Sequence, residues 1–457
     1  MKYYLAIDIG ASSGRHILGW LEDGILKTEE IYRFSNQMET KNNHLVWNTK
    51  KIFNEIKNGL KQLKIIGKIP AYIGIDTWAV DYALLDGKNT LIGDVYAYRD
   101  IRCEKTLDKV QKRISFEACY ERTGIQYQPF NTLYQLYEDK LSGKLENAKS
   151  MLMLPDYFNF LLTGVKKQEY TNATSTGLVN AYTHTWDKEI LEKLGFNKDL
   201  FLELSQPGEL VGELKEEIQA EIGYNAKVIL PATHDTASAV LASPMESSNP
   251  YISSGTWSLL GVEQEICKTD HASLNANYSN EGSIDNQFRY QKNIMGLWLL
   301  QNVRHELGDI SFPELANMAR NHSFIGRIDV NHSRFLAPQN MMEEIRKAIG
   351  APLKNSEVVK VIYDSLAESY KIALEELERN TGKTYNKLHI FGGGCQDKYL
   401  NELTSKVTHK MLVVGPVEAT SIGNLMMQMI GTKEIESLSI ARQIIKKSFD
   451  ISEVKYE

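Results

Sequence analysis

Two stretches of this chain share one plan: an apolar strand, a turn of small residues and a second strand. The first is YYLAIDIGASSGRHILGWL at 3–21, and NPYISSGTWSLLGVE at 249–263 repeats it about half a chain later. Such self-similarity predicts two related halves that face each other. The length of 457 residues is too great for one ordinary core and agrees with two or three domains.

Both halves carry alternating strand and helix patterns. In the first half, apolar residues recur at helical spacing over 48–63, and AYIGIDTWAVDYALLD at 71–86 is typical of a strand, a loop and another strand. In the second half, 356–382 has one apolar helical face and ends at a glycine, and the strand KLHIFGGG follows at 387–394. The pattern therefore predicts an α/β fold in each half.

The expected boundary between the halves is the polar, Pro- and Ser-rich segment ASPMESSNP at 242–250. It predicts an N-terminal domain of residues 1–243 and a C-terminal domain of residues 244–457.

Composition narrows the function classes. Lysine and arginine total 52 against 58 acidic residues, a net charge of −6 without a dense basic block, which argues against nucleic acid as a partner. The four scattered cysteines contain no CxxC pair, so neither a disulfide framework nor a cysteine-rich zinc site is expected. The N-terminus meets Asp8 too early for a signal peptide, and no apolar run is long enough to span a membrane. We expect a cytoplasmic protein with no membrane partner.

The first glycine turn, DIGASSG at 8–14, has neither the GK[ST] of a P-loop nor the helix that follows a Rossmann turn. Its small side chains would let backbone N–H groups point at phosphate oxygens. Asp8 could hold Mg2+ through water and Arg15 could offset phosphate charge, while a plain hairpin turn is the other interpretation. The residues predicted to line this phosphate site are Ala11, Ser12, Ser13, Gly14 and Arg15.

Two further glycine turns lie in the second half. SSGTWS at 253–258 has the matching place in the repeated plan, with Thr256 as a hydroxyl donor to phosphate. FGGGCQ at 391–396 lies between a strand and a helix, where three consecutive glycines favour a flat ligand, such as a nucleotide base, passing close to the chain. Each is also compatible with an ordinary turn, because Gly and Ser are the residues that turns need.

The segment PATHDTASAV at 231–240 places an acid where a strand stops at Pro231 and a helix begins around Thr233. Thr233, Asp235 or Thr236 can cap such a helix, and the helix dipole favours a charged carboxylate there. The alternative is that Asp235 accepts the proton of a hydroxyl as its oxygen attacks a γ-phosphate. The phosphate-type turns favour this second role, because phosphoryl transfer needs a base, a metal and charge-spreading donors.

Polar and aromatic residues near these motifs each have two open roles. His234 either binds a sugar hydroxyl or is structural, and Trp78 either stacks on an apolar sugar face or belongs to the core. Asn293 and Gln301, eight residues apart in KNIMGLWLLQ, are predicted to share one face of a helix. They would then reach substrate and nucleotide respectively, or serve as ordinary polar helix positions.

The ordered motifs resemble the FGGY family of carbohydrate kinases. The two hairpin turns, PATHDTASAV, SSGTWSLLG and HIFGGGCQDKYLNEL carry this resemblance. It implies an actin-like fold of two ribonuclease-H-like domains with the active site in the cleft between them. Further motifs, among them GIDTWAVDYALLD, GIQYQPFNTLYQL, EYTNATSTGLVN and GPVEATSIGN, are similar to those of family members that act on L-rhamnulose.

The resemblance implies transfer of the ATP γ-phosphate to the 1-hydroxyl of L-rhamnulose, with Mg2+, in the breakdown of rhamnose. By motif position it makes Asp235 the general base. The ATP-binding positions it implies are Ala11, Ser12, Ser13, Gly14, Arg15, Thr256, Gln301 and Gly393. The substrate-binding positions are Trp78, Ala79, His234, Asp235, Thr236 and Asn293.

Ala79 departs from the family pattern, which has glycine in DTWGVD. A methyl group there intrudes on the sugar, so a kinase for another ketose, such as L-fuculose or L-xylulose, is the alternative of the same class. A non-catalytic actin-fold protein that binds nucleotide and sugar is the alternative of a different class, and the intact Asp8 and Asp235 argue against it. A monomer or a small homo-oligomer is expected.

Overall fold

The computed structural model describes residues 1–244 and 249–455 of the chain. Its strands, in chain order, are β1 (Tyr4–Ile9), β2 (Ser13–Glu22), β3 (Ile25–Ser35), β4 (Glu39–Lys41), β5 (His44–Trp47), β6 (Tyr72–Thr77), β7 (Tyr82–Leu85), β8 (Val95–Tyr96), β9 (Ser150–Met153), β10 (Gln168–Glu169), β11 (Val179–Asn180), β12 (Thr185–Trp186), β13 (Leu204–Ser205), β14 (Leu210–Glu213), β15 (Lys227–Ile229), β16 (Tyr251–Ser254), β17 (Ser258–Gln264), β18 (Ser279–Gly282), β19 (Phe288–Ile294), β20 (Lys387–Phe391), β21 (Met411–Val414) and β22 (Ser452–Val454).

The α-helices alternate with these strands along the chain. They are α1 (Thr49–Ile65), α2 (Leu107–Gln111), α3 (Phe116–Thr123), α4 (Thr132–Leu141), α5 (Leu154–Thr163), α6 (Tyr170–Thr174), α7 (Lys188–Leu194), α8 (Glu216–Ile222), α9 (Asp235–Leu241), α10 (His271–Asn275), α11 (Trp298–Glu306), α12 (Phe312–Arg320), α13 (Met341–Ile349), α14 (Asn355–Thr381), α15 (Lys398–Thr408), α16 (Ala419–Gly431) and α17 (Leu438–Ser448). Across the described ranges, none of the helices combines the length and the apolar character that crossing a membrane requires.

The chain divides into two compact units. Unit 1 consists of Met1–Pro244, Gln264–Tyr290 and Thr420–Ser448, and unit 2 consists of the described residues between and after these segments. Residues 245–248 of the predicted boundary segment lie outside the described residues.

Unit 1 contains a sheet with the strand order β14-β15-β6-β1-β2-β3. β1 pairs antiparallel with β2, as the first repeated stretch predicts, and parallel with β6. All six residues of β1 are buried, which suits a strand with neighbours on both edges. The register sets Asp8 of β1 opposite Asp76 of β6.

The predicted strand, loop and strand of 71–86 are present as β6 and β7, but the two strands do not form a hairpin. β6 pairs with β1 and β15, whereas β7 pairs antiparallel with β9. The loop between them, 78–81, therefore leaves the carboxyl end of the unit 1 sheet.

Helix α16 packs its backbone directly against α9 in unit 1. A Cβ atom on Gly423 would lie 1.8 Å from the carbonyl oxygen of Ser238, so only glycine permits this approach. Two turns of α16 also bond to the sheet: Asn424 Nδ2 donates to Asp76 Oδ2 at 2.5 Å, and Gln428 Nε2 donates to the carbonyl of Leu5 at 2.9 Å. α16 thus fixes α9 and the central strands as one body.

Unit 2 repeats the plan that the sequence predicts. Its strands β17, β16, β20, β21 and β22 are hydrogen-bonded neighbours in that order. β16 pairs antiparallel with β17 and parallel with β20, the arrangement that β1 has with β2 and β6. The long predicted helix is α14, and it ends at Gly382, whose φ of +67° is left-handed.

Candidate active site

The segment 231–234 is held in place by one buried carboxylate. Glu169 accepts five hydrogen bonds, from the backbone N–H groups of Thr171, Asn172 and Thr233 and from the hydroxyls of Thr171 and Thr233, at 2.6–3.1 Å. Burial raises the pKa of Glu169, and these bonds oppose the rise. Thr233 is therefore occupied by Glu169 and does not cap the following helix.

Helix α9 begins at Asp235, with His234 at the N-cap position. The helix has no side-chain capping bond at its N-cap. The Asp235 carboxylate instead accepts bonds from its neighbour Thr236, from the backbone N–H at 2.5 Å and from the hydroxyl at 3.1 Å. The expectation of a cap made by Thr233 is thus wrong, whereas the Asp235 carboxylate does satisfy one backbone N–H of the first turn.

The Asp235 side chain keeps 30% of its surface exposed, whereas that of His234 is only 7% exposed. Desolvation raises the pKa of Asp235, the neighbouring His234 opposes this rise, and the negative charge of Asp8 adds to it. A partly exposed carboxylate with a raised pKa is a stronger proton acceptor than an ordinary aspartate.

The loop 78–81 lies beside this segment. The backbone N–H of Thr77 donates to the carbonyl of Thr233 at 3.0 Å, which joins the end of β6 to the residues before α9. Trp78 is buried, and its Nε1 donates to Asp81 Oδ2 at 2.9 Å. Ala79, half-buried, follows directly.

Asp81 holds two indole rings in place, those of Trp78 in this loop and of Trp47 on β5. Its carboxylate also accepts a bond from Trp47 Nε1 at 2.7 Å, and the Trp47 and Trp78 ring centroids are 4.2 Å apart. Burial raises the pKa of Asp81 to about 6, although hydrogen bonds from Gln135, Trp47 and Trp78 lower it.

The backbone between Ala79 and Asp81 is strained. Val80 has a φ of +66°, which a β-branched residue rarely adopts, and the N–H of Asp81 donates to the carbonyl of Ala79 at 2.9 Å. Such a γ-turn costs on the order of 1–3 kcal/mol and persists where surroundings determine it. Here the Thr132 hydroxyl holds the carbonyl of Val80 at 2.7 Å.

The phosphate-type turn of unit 1 is a tight hairpin closed by a bond from Gly10 N–H to the carbonyl of Ser13 at 2.9 Å. Ala11, Ser12 and Ser13 are partly or fully exposed. Gly14 is buried, and a Cβ there would lie 2.2 Å from the Phe34 ring. Packing on Phe34, and not the approach of a phosphate, thus requires glycine at this position.

Asp8 and Arg15 form an ion pair, with 3.0 Å between Arg15 Nε and Asp8 Oδ2. Asp76 is fully buried opposite Asp8, and its Oδ1 has no hydrogen-bond partner among the described residues. Burial raises the pKa of Asp76 well above its usual value, and the charges of Asp8 and Asp235 add to the rise. Carboxylate oxygens are the ligands that Mg2+ prefers, although the described residues contain no group of three or more His, Cys, Asp or Glu side chains placed to hold a metal ion by themselves.

In unit 2, the turn after β16 contacts both the start of α11 and the triple glycine. The N–H of Trp298 donates to the carbonyl of Thr256 at 3.1 Å. A Cβ on Gly392 would lie 2.9 Å from the Ser254 carbonyl, and one on Gly394 would lie 2.2 Å from Ser254 Oγ. The turn at 253–258 and the triple-glycine turn at 391–396, both predicted to bind nucleotide, therefore lie next to each other.

Gly393 differs from its two neighbours. A Cβ on this residue would meet no described atom within 4 Å, and the residue is exposed. Packing within the described part of the chain therefore explains the glycines at 392 and 394 but not the one at 393. The prediction that a ligand passes close to Gly393 is compatible with this open space.

One expectation about unit 2 is wrong. Asn293 lies on β19 and Gln301 lies on α11, so the two do not share a helix face. Gly296 separates the two elements, and a Cβ there would lie 2.3 Å from Ser258 Oγ, so the chain turns tightly at this point. Both residues are half-buried.

The structure thus groups Asp8, Arg15, Trp78, Ala79 and the triplet at 234–236 in unit 1, and Thr256, Gln301 and Gly393 in unit 2. Sequence reasoning missed Asp76. The sequence contained a pattern that could have identified it. Asp8 and Asp76 both follow an Ile in apolar strands, and parallel strands end at the same sheet edge, so their side chains are expected to lie near each other. Glu281 and Arg289, which contact His234, gave no sequence signal.

Solved structures have the same two-domain fold. A ligand-bound xylulose kinase from Lactobacillus acidophilus superposes with a TM-score of 0.80 at 18% identity, over 100% of this chain and 93% of that one. A Plasmodium falciparum glycerol kinase with ADP gives 0.76 at 15% identity, over 99% and 94%. The fold is therefore that of the actin-like sugar kinases, and the predicted fold class is confirmed.

Sequence relatives and family models specify the class further. A rhamnulokinase from Halalkalibacterium halodurans is 48% identical over 99% of this chain and 98% of its own length, and one from Bacillus subtilis is 42% identical over 98% and 94%. Models of the N-terminal and C-terminal domains of the FGGY family of carbohydrate kinases match residues 3–242 and 250–432. The chain belongs to the FGGY family of carbohydrate kinases. It is a phosphotransferase with an alcohol group as acceptor, and ATP use in this family implies a divalent metal ion.

Proposed function

We propose that this protein transfers the γ-phosphate of ATP to the 1-hydroxyl of L-rhamnulose, giving L-rhamnulose 1-phosphate and ADP in the breakdown of rhamnose. The observation that carries this proposal is the 48% identity over 99% of the chain to a protein named rhamnulokinase. The partly exposed Asp235 carboxylate beside the 78–81 loop gives the reaction a base in the required setting.

Asp235 acts as the general base in this proposal. It removes the proton of the 1-hydroxyl as that oxygen attacks the γ-phosphorus. Its raised pKa makes the carboxylate a better proton acceptor than an ordinary aspartate, and its bonds to Thr236 fix its orientation.

The ketose is bound by residues around this base. His234, Asp235 and Thr236 take its hydroxyls, Trp78 packs on its apolar face, and Ala79 limits its width. Asn293 is the substrate-binding residue that we assign to unit 2.

ATP is bound by the glycine turns. The backbone of Ala11, Ser12, Ser13 and Gly14 and the side chain of Arg15 take phosphate oxygens, and Thr256, Gln301 and Gly393 take the rest of the nucleotide. Asp8, through water, and Asp76 would hold Mg2+, which neutralises phosphate charge when it is bound. Arg15 bonds to Asp8 and so can exchange the carboxylate for phosphate oxygens.

We keep the division into domains of 1–243 and 244–457, with the sugar site, the first phosphate turn and the base in the first and nucleotide binding in the second. A cytoplasmic monomer or small homo-oligomer is the expected form of the enzyme.

The test of the substrate is ADP release with Mg-ATP and, in parallel, L-rhamnulose, L-fuculose, L-xylulose, L-ribulose and glycerol. A strong preference for L-rhamnulose supports the proposal. A higher kcat/KM for L-fuculose or L-xylulose would instead establish the alternative that Ala79 motivates, a kinase for another ketose.

The test of the base is Asp235→Asn. The amide oxygen can accept the bond from the Thr236 N–H, and a neutral group relieves the desolvation that raises the Asp235 pKa, so we expect normal folding and ligand binding. We expect kcat to fall by roughly 10²–10⁴-fold, the usual contribution of a general base. Turnover near that of the unaltered enzyme would show that Asp235 has only a structural role.

A further inference from the structure

A buried ion pair lies behind the sugar-binding histidine in unit 1. Arg289 on β19 is fully buried, and Glu281 on β18 is 5% exposed. Arg289 Nη2 lies 3.2 Å from Glu281 Oε2, and Arg289 Nε donates to the carbonyl of Gly282 at 3.2 Å. Ion pairs inside proteins are expensive to desolvate, and apolar side chains of similar volume are often as stable or more so. Stability alone therefore does not account for this pair.

Both members of the pair touch the inner nitrogen of His234. Arg289 Nη2 lies 3.1 Å from His234 Nδ1, and Glu281 Oε2 lies 3.2 Å from the same atom. The outer nitrogen, Nε2, faces Asp235 Oδ1 at 3.5 Å. The imidazole thus lies between a fixed charged pair on one side and the proposed base on the other.

The partners of a histidine decide which nitrogen carries its proton. Arg289 is always protonated and can only donate, so its Nη2–H directed at Nδ1 needs an Nδ1 lone pair. An ionised Asp235 can only accept, so it favours a proton on Nε2. Arg289 and Asp235 therefore select the same tautomer, with the lone pair on Nδ1 and the proton on Nε2. The Glu281 carboxylate, 3.2 Å from Nδ1, favours the opposite tautomer, but its charge is already paired with Arg289, so the other two neighbours decide.

We propose that Arg289, held in place by Glu281, is a positioning residue that fixes His234 as the Nε2–H tautomer and so presents a hydrogen-bond donor to the ketose oxygen beside Asp235. This inference rests on the proposed function for the identity of the ketose. In this role His234 donates a hydrogen bond and does not compete with Asp235 as a base, since its Nε2 already carries a proton.

The direct test is the protonation state of the His234 ring. In full-length protein labelled with ¹⁵N-histidine, the imidazole signals of His234 are assigned by their loss in His234→Gln. We expect a neutral ring with the proton on Nε2, and we expect the double variant E281Q/R289M to lose this preference. A proton on Nδ1 in the unaltered protein would overturn the proposal. This readout needs no turnover, so it stays decisive if L-rhamnulose proves not to be the substrate.

Kinetics separate positioning from a purely structural role. E281Q/R289M removes both charges together and leaves no unpaired buried ion, so the fold should persist. We expect the KM for L-rhamnulose to rise about 2- to 12-fold, the range for losing a hydrogen bond between neutral groups, with the KM for ATP unchanged. Arg289→Lys keeps a donor for Nδ1 and should recover part of this loss.

The matched control is K410M/E378Q, which removes the ion pair between Lys410 and Glu378 of unit 2, 2.8 Å apart. It should leave both KM values unchanged. An unchanged KM for L-rhamnulose in E281Q/R289M, with only its unfolding midpoint altered, would overturn the positioning role.

Discussion

At the scale of single residues, the loop 78–81 departs from the family pattern and has a strained backbone. Ala79 stands where the family has glycine, and the next residue, Val80, adopts a φ of +66°. The strain is held by the bond from the Thr132 hydroxyl to the Val80 carbonyl. The loop therefore has one defined conformation, and a methyl group at position 79 has a defined place relative to a bound sugar.

Ala79→Gly tests the effect of that methyl group on ketose choice. A single methyl or methylene in a pocket changes discrimination by about 10–200-fold. We expect the ratio of kcat/KM for L-rhamnulose over L-fuculose to rise by about tenfold, because glycine restores the family pattern and removes the methyl group that intrudes on the sugar. An unchanged ratio, measured by ADP release, would mean that the Ala79 methyl does not contact the ketose.

Gly393→Ala tests the triple glycine. The added methyl meets no described atom within 4 Å, so the urea unfolding midpoint should not change. If a nucleotide passes close to this residue, the KM for ATP rises about tenfold while the KM for the ketose stays constant. Gly87→Ala is the control, since its Cβ also has room, 3.8 Å from Lys149 Cγ. Equal KM values for ATP in the two variants would count against Gly393 as a nucleotide contact.

At the scale of elements, the approach of α16 to α9 positions the proposed base. Gly423 allows the two backbones to touch, and α9 begins at Asp235. A side chain here would have to displace the backbone of the helix that presents the carboxylate.

Gly423→Ala should therefore be destabilising. Its Cβ would overlap the Ser238 carbonyl oxygen, a backbone atom that cannot turn aside as a flexible side chain can. Overpacking of this kind costs about 1–3 kcal/mol, which the urea midpoint should reveal together with a lower kcat. A stability equal to that of Gly87→Ala would show that α16 can shift without consequence.

Helices and strands with a regular spacing of apolar residues could be predicted from the sequence, whereas the strands with which they pair could not. The apolar pattern correctly predicted the two hairpins and also the helices α1 and α14, because burying one face of an element determines where its apolar residues occur. Pairing of β7 with β9 could not be read from the chain, since alternation identifies the buried face and not the neighbouring strand. KNIMGLWLLQ was misjudged because a short apolar run does not distinguish one helix from a strand, a turn and a helix.

The residues of the candidate site also fall into those that the sequence predicts and those that it does not. Asp235 and the glycine turns belong to local motifs and were predictable. The contacts of Glu281 and Arg289 with His234 join residues about fifty positions apart, and their types alone are those of ordinary surface residues. The reason for glycine at 14, the Phe34 ring, likewise depends on tertiary packing.

At the scale of the whole molecule, buried carboxyls should make stability depend on pH. Burial raises the pKa of Asp81 to about 6, above the value of about 3.9 in an unfolded chain. A raised folded-state pKa contributes stability that is fully present below about pH 4 and is lost as the pH rises through 6. The stabilisation of Asp81 should therefore decline between pH 4 and 6.

Asp81→Asn removes this titration. We expect the difference in unfolding free energy between the unaltered protein and the variant to decrease by about 2 kcal/mol from pH 4 to pH 7, and to be constant above. Urea unfolding at several pH values measures it. A difference independent of pH would mean that Asp81 titrates alike in the folded and unfolded chain.

Unit 1 is built from three separated segments, and the last of them, Thr420–Ser448, leaves the ribosome after all the residues of the other two. Until then two hydrogen bonds are missing: the one from the Asn424 amide to the Asp76 carboxylate and the one from the Gln428 amide to the Leu5 carbonyl. A nascent chain released before residue 420 would have the strands and the acid of the sugar site without the helix that supports them. We therefore expect activity to appear only after residue 448 has been synthesised, so that chains terminated before residue 420 accumulate as inactive targets for proteolysis.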